Sequence, residues 1–228
     1  MCGRYTLRRA ALVGSLFDAA SLPGFEEFTE RPRFNLAPSL ELPVIRLNKT
    51  GGRAVGLVRW GLIPHWNKGK AKAQPINARA ETLATSGMFK QAFARRRCLV
   101  PADGFYEWRR VDAKTKQPMF AHFPDDRLFG FAGVWERWRE SEDAEPLDTF
   151  AIITTTPNKL MAEIHDRMPV ILRPEDYQRW LDPETPLQDV EKMLKPYADG
   201  ELEAVPVNRA VNSPRNDTPD CIEPLTSQ

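Results

Sequence analysis

The stretch RCLVPADGFYEWRR, residues 97–110, holds two strand-like runs, RCLVPA (97–102) and GFYEWRR (104–110), with a single Asp between them. Short apolar and aromatic runs bounded by Gly, Pro or Asp read as strands joined by tight turns. Similar runs lie on either side: VIRL (44–47), AVGLVRWG (54–61), QPMFAHF (117–123), LFGFAGVWERW (128–138), DTFAIITT (148–155) and LEAVPVN (202–208). Apolar residues at helical spacing predict helices over 7–20 (Leu12, Leu16 and Phe17, closed by Gly24), 81–96, 158–164, 175–181 and 187–197. Strands and helices do not alternate as βαβ units, so the expected class is α+β, a β-rich centre decorated by helices.

The chain has 228 residues, of which 20 are proline, about 9% against a usual value near 5%, spread along most of its length. That pattern predicts many short elements with rigid turns in one domain over 1–228: a core of 2–212 and a C-terminal extension, 213–228, that runs over the surface or frays. ESEDAE (140–145) reads as a solvated loop. Lys and Arg number 32 against 31 Asp and Glu, a net charge of +1, so any basic surface for nucleic acid must be local. Cys2, Cys98 and Cys221 are odd in number, far apart and without a CxxC pair. They argue against a disulfide framework or zinc site and for a reducing compartment. With no apolar run long enough to span a membrane and no signal-peptide pattern, the expectation is a cytoplasmic protein, with no metal and no cofactor.

Cys2 is the most informative single residue. Removal of the initiator Met is favoured before a small residue and leaves Cys2 with both a thiol and a free α-amine. With reference pKa values near 8.5 and 7.7–8.0, appreciable fractions of both are reactive near neutral pH, the more so beside a cation such as Arg4. A 1,2-aminothiol condenses with an aldehyde to an imine and then closes a thiazolidine. An idle cysteine at a frayed terminus fits the same residue. Further on, FNLAPS (34–39) places Asn35 before a proline turn, and INARAET (76–82) carries Asn77, Arg79 and Glu81 at the entry to a helix. Either asparagine reads equally as a turn former. In WGLIPHW (60–66), Trp60 reads as core, whereas Trp66, beside His65 and the lysine-bearing NKGKAK (67–72), suits base stacking with phosphate attraction. CLVPADGFYEW (98–108) sets Asp103 and Glu107 in apolar surroundings; burial of Glu107 would raise its pKa and let it both give and take a proton. His165, in IHDRMPVIL (164–172) with Asp166 and Arg167, is a candidate proton shuttle.

MCGRYTL, FNLAPS, WGLIPHW, INARAET, CLVPADGFYEW, IHDRMPVIL and VPVNRAV (205–211) occur in one order over nearly the whole chain. Together they resemble the SRAP family, the SOS response-associated peptidase domain. The resemblance implies a single compact SRAP domain of mixed α/β type with a curved, barrel-like, mainly antiparallel β core and a basic cleft. It implies a sensor and shield of abasic sites in single-stranded DNA, nucleoid-associated when bound, and nothing in the sequence demands more than a monomer. Cys2 then matches the residue that crosslinks the opened deoxyribose as a thiazolidine, and Asn77 the one that positions sugar and amine. Glu107 and His165 match the acid/base pair. Arg4, Asn35, Arg79, Thr154 and Arg167 match positions that hold phosphates or the geometry of the site, and Trp66 an aromatic of the DNA-binding loop. Local basicity is expected from Arg8 and Arg9, Arg31 and Arg33, Lys68, Lys70 and Lys72, and Arg95 to Arg97. Gly87 departs from the resemblance, standing where a basic residue is usual.

Two other classes fit parts of the sequence. An N-terminal-nucleophile hydrolase, such as a glutaminase, would use the Cys2 amine as base for its own thiol, and a Cys/His peptidase would pair Cys2 with His165, self-removal of Met1 being its mildest form. A non-covalent single-strand binding module would leave Cys2 inert and show only salt-dependent binding.

Overall fold

The computed structural model describes residues 2–71 and 73–225. Met1 and Lys72, which enter the expectations above, lie outside the described residues, as do 226–228. In chain order the strands are β1 (Tyr5–Leu7), β2 (Ala19–Ser21), β3 (Arg33–Leu36), β4 (Glu41–Leu47), β5 (Arg53–Trp60), β6 (Asn77–Arg79) and β7 (Arg97–Ala102). They continue as β8 (Gly104–Arg110), β9 (Lys116–His122), β10 (Phe129–Trp138), β11 (Leu147–Thr155), β12 (Met168–Pro169), β13 (Ile171–Leu172) and β14 (Glu203–Pro206). The α-helices are all short: α1 (Val13–Leu16), α2 (Phe25–Phe28), α3 (Lys90–Arg95), α4 (Lys159–Ala162), α5 (Tyr177–Leu181) and α6 (Leu187–Glu191).

Strands β4, β5, β11, β10 and β7 pair in a closed ring. A ring of five cannot alternate direction throughout, so one pair must be parallel. That pair is β5 with β11, Thr149 opposite Arg59 and Phe150 opposite Trp60; the other four are antiparallel. Closure leaves no open edge within the ring. A second sheet, in the order β14-β9-β8-β1-β3, flanks it, continuous in chain with the barrel where β7 passes through Asp103 into β8. The alternation along β8 explains how one strand serves two packings. Phe105 joins the main core, whereas Tyr106 and Trp108 pack with Phe120, Val207, Val211 and Cys221 in a smaller cluster on the outer face. Gly104 is required at the joint, since a Cβ there would lie 2.3 Å from the Phe120 ring.

Four helical expectations change. The segment 7–20 is not one helix: Leu7 ends β1, and only a 3₁₀ turn (Ala10–Leu12) and α1 follow. The buried side chains are Ala10, Val13 and Phe17, while Leu12 and Leu16 are 42% and 59% exposed. Asp18, at φ 48°, turns the chain out of the helix into β2, which runs parallel to β5. Gly24, at φ 84°, stands before α2 instead of closing the first segment. The 81–96 segment keeps only a 3₁₀ turn (Ala80–Thr82) and α3; between them the Thr85 hydroxyl donates to the Thr82 carbonyl, and the Ser86 hydroxyl accepts from the Met88 N–H. These local bonds compete with helix. The 187–197 segment is helical only as α6, and 175–181 divides into a 3₁₀ turn and α5.

The C-terminal stretch does not fray where it is described. Asp217 accepts from the backbone N–H groups of Phe34 (2.6 Å) and Asn35 (3.0 Å) and from Arg33 Nε (2.5 Å), and Cys221 is fully buried.

Candidate active site

Cys2 leads into β1, whose Tyr5 and Thr6 lie opposite Phe105 and Gly104 of β8; the Tyr106 N–H donates to the Arg4 carbonyl at 3.0 Å. This pairing delivers Cys2 to the strand that carries Glu107, and both are buried, at 0% and 2% exposure. The Cys2 thiol is pushed up, first by burial and then by the charge of Glu107. Activation of the thiol by Arg4 is therefore corrected: the Arg4 guanidinium turns to Asn35 Oδ1 (3.0 Å) and to the Val211 carbonyl (2.8 Å). Asn35 is itself buried, its amide donating to the carbonyls of Val211, Ser213 and Asn216. Arg4 and Asn35 thus tie the N-terminal strand to the C-terminal stretch.

The two carboxylates of 98–108 separate by partner. Asp103, at 0% exposure, accepts from Thr6 Oγ1 (2.5 Å), the N–H groups of Arg8 (2.6 Å) and Arg9 (3.3 Å), and Arg8 Nε (3.0 Å). Glu107 faces His165, with Oε2 and Nε2 4.0 Å apart, and burial raises its pKa above the usual carboxylate value. A carboxyl whose folded pKa is raised costs stability once it ionises. The cost begins above the unfolded value of about 4.3 and grows until the pH passes the folded value. Glu107→Gln is therefore expected to gain on the parent protein in Tm as the pH rises from 4 to 7. Parallel Tm-against-pH curves for the two proteins would contradict the assignment.

His165 follows α4, itself capped by Asn158, whose Oδ1 accepts from the Met161 N–H. Its Nδ1 receives the Arg167 N–H at 3.0 Å and lies 2.8 Å from Asp166 Oδ1. The first contact fits a ring with its proton on Nε2; the second fits a proton on Nδ1. The Arg167 guanidinium donates to the Thr154 carbonyl (2.6 Å) and grips both oxygens of Glu81 (2.5 and 2.9 Å). Strand β6 lies along β11, Asn77 opposite Ile152 and Arg79 opposite Thr154, so the INARAET motif meets Thr154 and Arg167. Asn77 Nδ2 donates to the Ile152 carbonyl at 3.4 Å, while its buried Oδ1 has no partner among the described residues.

Trp66 belongs to a different cavity. It is 54% exposed and, with His65 and Lys68, borders a cavity of about 300 Å³ whose far wall is Arg139, Glu140 and Glu142. The acidic 140–145 loop thus lies against the lysine-bearing loop, and the Gly69 N–H donates to the Glu140 carbonyl. Several arginines expected to supply basic surface are engaged elsewhere. Arg8 binds Asp103 and Asp126, Arg33 binds Asp217, and Arg96 binds the buried Glu136, which also meets His65 Nδ1. Arg97 is buried and donates to four backbone carbonyls. Sequence reasoning missed Asp217 and the buried Tyr5 hydroxyl, which has no partner among the described residues. Asp217 carries no local signal, and Tyr5 was legible only as part of MCGRYTL.

Comparison with known proteins places this geometry among relatives. The pattern of the SOS response associated peptidase (SRAP) family matches residues 1–214. The chain is 43% identical over 226 residues to the abasic site processing protein YoqW of Bacillus subtilis, covering 98% of this chain and 99% of that one. It is 32% identical to the abasic site processing protein HMCES of Gallus gallus, covering 99% of this chain and 78% of that one. A crystal structure of a Bacteroides thetaiotaomicron protein superposes with a TM-score of 0.88 at 27% identity, covering 99% of this chain and all of the other.

Proposed function

The chain belongs to the SRAP family, and on that footing we propose that it captures abasic sites in single-stranded DNA through a covalent bond to Cys2. The observation that carries this reading is the meeting of the buried Cys2 and Glu107 with the partly exposed His165, beside DNA-facing candidates on β6 and β11.

In this reading an abasic deoxyribose opens when its C1′ hydroxyl loses a proton and the ring oxygen gains one, leaving a C1′ aldehyde. His165 Nε2 gives the proton to the ring oxygen, and the hydroxyl's proton passes to solvent water. The α-amine of Cys2, freed by loss of Met1, adds to the aldehyde, and water leaves to give an imine. Glu107, whose pKa burial raises, gives a proton to the departing hydroxyl, which leaves the imine protonated at nitrogen. The thiol then adds to the carbon of that protonated imine, and its proton passes to the Glu107 carboxylate, which restores the acid and leaves the thiazolidine nitrogen a neutral amine. Because burial opposes a free thiolate, proton removal has to accompany sulfur attack. The unpartnered Asn77 Oδ1 accepts from the Cys2 amine or the opened sugar's hydroxyl.

The test mixes processed protein with single-stranded DNA bearing one abasic site and with an intact strand, followed by denaturation in SDS and intact-mass measurement. A heat-stable adduct on the abasic strand alone, with a mass of protein plus DNA less one water, is expected. No adduct from protein lacking Met1 would refute the reading.

Gly87 supplies a separate check on the DNA face. A Cβ built there meets nothing within 4 Å, so a longer side chain fits. Gly87→Lys is expected to tighten binding of intact single strands a few-fold at low salt and to steepen the salt dependence by about 0.7 in log–log slope per added phosphate contact. An unchanged slope in a fluorescence-anisotropy titration would place Gly87 off the DNA path.

A further inference from the structure

We propose that Glu81 is a resident stand-in for a DNA phosphate: in the DNA-free protein its carboxylate fills the seat formed by Arg167, Arg79 and Thr154, and a strand binds by displacing it. The proposal rests on the reading above that Arg79 and Arg167 face DNA.

The first support is geometry. Arg167 holds Glu81 through two parallel N–H···O bonds, Nη1 to Oε1 and Nη2 to Oε2. The guanidinium fork takes phosphate oxygens in the same manner as carboxylate oxygens. A phosphodiester carries one negative charge, as the carboxylate does, so the exchange leaves the charge of the seat unaltered.

The second support is the difference in how the two partners are held. The Arg167 side chain is only 11% exposed and is anchored apart from Glu81 by its bond to the Thr154 carbonyl, with Thr154 Oγ1 a further 3.4 Å contact. The seat therefore persists when Glu81 leaves. Glu81 is 47% exposed and stands on a three-residue 3₁₀ turn, which allows it to swing outward. The register sets Arg79 opposite Thr154, and the Arg79 charge is felt, weakly, at the Glu81 carboxylate. Arg167 first, and more weakly Arg79, hold the Glu81 carboxyl below its usual pKa. Both cations thus favour the charged form of the carboxyl.

The consequence is a tax on strand binding: apparent affinity falls by the fraction of molecules whose seat is filled. Removing the charge while keeping the shape lifts that tax. The experiment titrates intact single-stranded DNA, which offers no aldehyde, against the parent protein, Glu81→Gln, Arg167→Ala and the double variant, with thermal melts to confirm folding. Binding by Glu81→Gln about three- to ten-fold tighter than the parent is expected at low salt, with the gain abolished in the Arg167→Ala background. Equal or weaker binding by Glu81→Gln would show that Glu81 braces Arg167 and would overturn the proposal. A gain that persists without Arg167 would overturn it too, by locating the effect outside the seat. If the parent protein binds no single-stranded DNA, the functional reading itself fails, an outcome separate from either of these.

Discussion

Cys2→Ala protein is expected to bind single-stranded DNA with the salt dependence of the parent and to leave none of it attached after boiling in SDS. Alanine keeps the α-amine, so the imine with the opened sugar still forms, but no sulfur is present to close the ring and the imine hydrolyses on denaturation. Borohydride added before denaturation should recover the adduct from the variant by reducing the imine to an amine. Cys2→Ser should behave like the alanine variant, because a hydroxyl is a far weaker nucleophile than a thiol. The loss of heat-stable product should be at least on the order of 100-fold, the lower end of what even one positioned proton-transfer group contributes. Folding should be little disturbed, since the substitution removes one buried sulfur, at a cost of about 1 kcal/mol. A borohydride-independent adduct of Cys2→Ala would end the thiazolidine assignment. Loss of salt-dependent binding in the same variant would mean that Cys2 holds the fold of the N-terminal strand, not the chemistry.

What the sequence made legible follows from how local each signal is. Strands β7 and β8 coincide with the runs read from 97–110, and β10 and β11 with their runs to within a residue, because aromatic and β-branched residues bounded by Asp, Gly and Pro specify strands within a few positions. Strands β1, β3 and β6, of three or four residues each, leave no periodicity to read; β1 and β6 form against the longer β8 and β11, and β3 pairs in turn with β1. The 7–20 segment failed for a related reason. Leu12 and Leu16 made a plausible apolar face, yet the tertiary contacts buried Ala10, Val13 and Phe17 instead. In the site, residue types and the resemblance pointed to Cys2, Glu107 and His165, and the fold gives the physical difference between Glu107, which faces His165, and Asp103, four residues earlier, which four donors hold. Arg4 and Asn35 show the opposite limit, since their partners lie about 180 to 210 residues away along the chain, in the C-terminal stretch. Charge clustering misled for the same cause: Arg96 and Arg97 look basic in sequence, but Glu136 and backbone carbonyls take up their donors.

The largest loss of stability is expected from Asp103→Ala. Asp103 has no contact with solvent, yet its two oxygens serve four donors: the Thr6 hydroxyl, the N–H groups of Arg8 and Arg9, and the Arg8 guanidinium. Alanine leaves the Arg8 and Arg9 N–H groups without that acceptor, the Thr6 hydroxyl with only the Gly104 carbonyl, and the Arg8 guanidinium, 18% exposed, with Asp126 alone. Breaking a buried charged network in this way costs about 3–5 kcal/mol, a large part of the 5–15 kcal/mol that a domain commonly has. Asp103→Asn retains one carbonyl oxygen and the shape, and should lose about half as much. Urea unfolding at pH 7 measures both; a loss below about 1 kcal/mol for Asp103→Ala would show that the network contributes little net stability. The position also links stability to chemistry. Asp103 fastens the residues after β1 to the joint between β7 and β8, where Thr6 lies opposite Gly104, and Cys2 stands four residues before Thr6 on the same strand path. Among the molecules that remain folded at low temperature, Asp103→Ala should therefore crosslink more slowly than Asp103→Asn, with intact-strand binding affected less, because the aminothiol is no longer held against Glu107. Equal crosslinking rates per folded molecule in the two variants would confine Asp103 to stability alone.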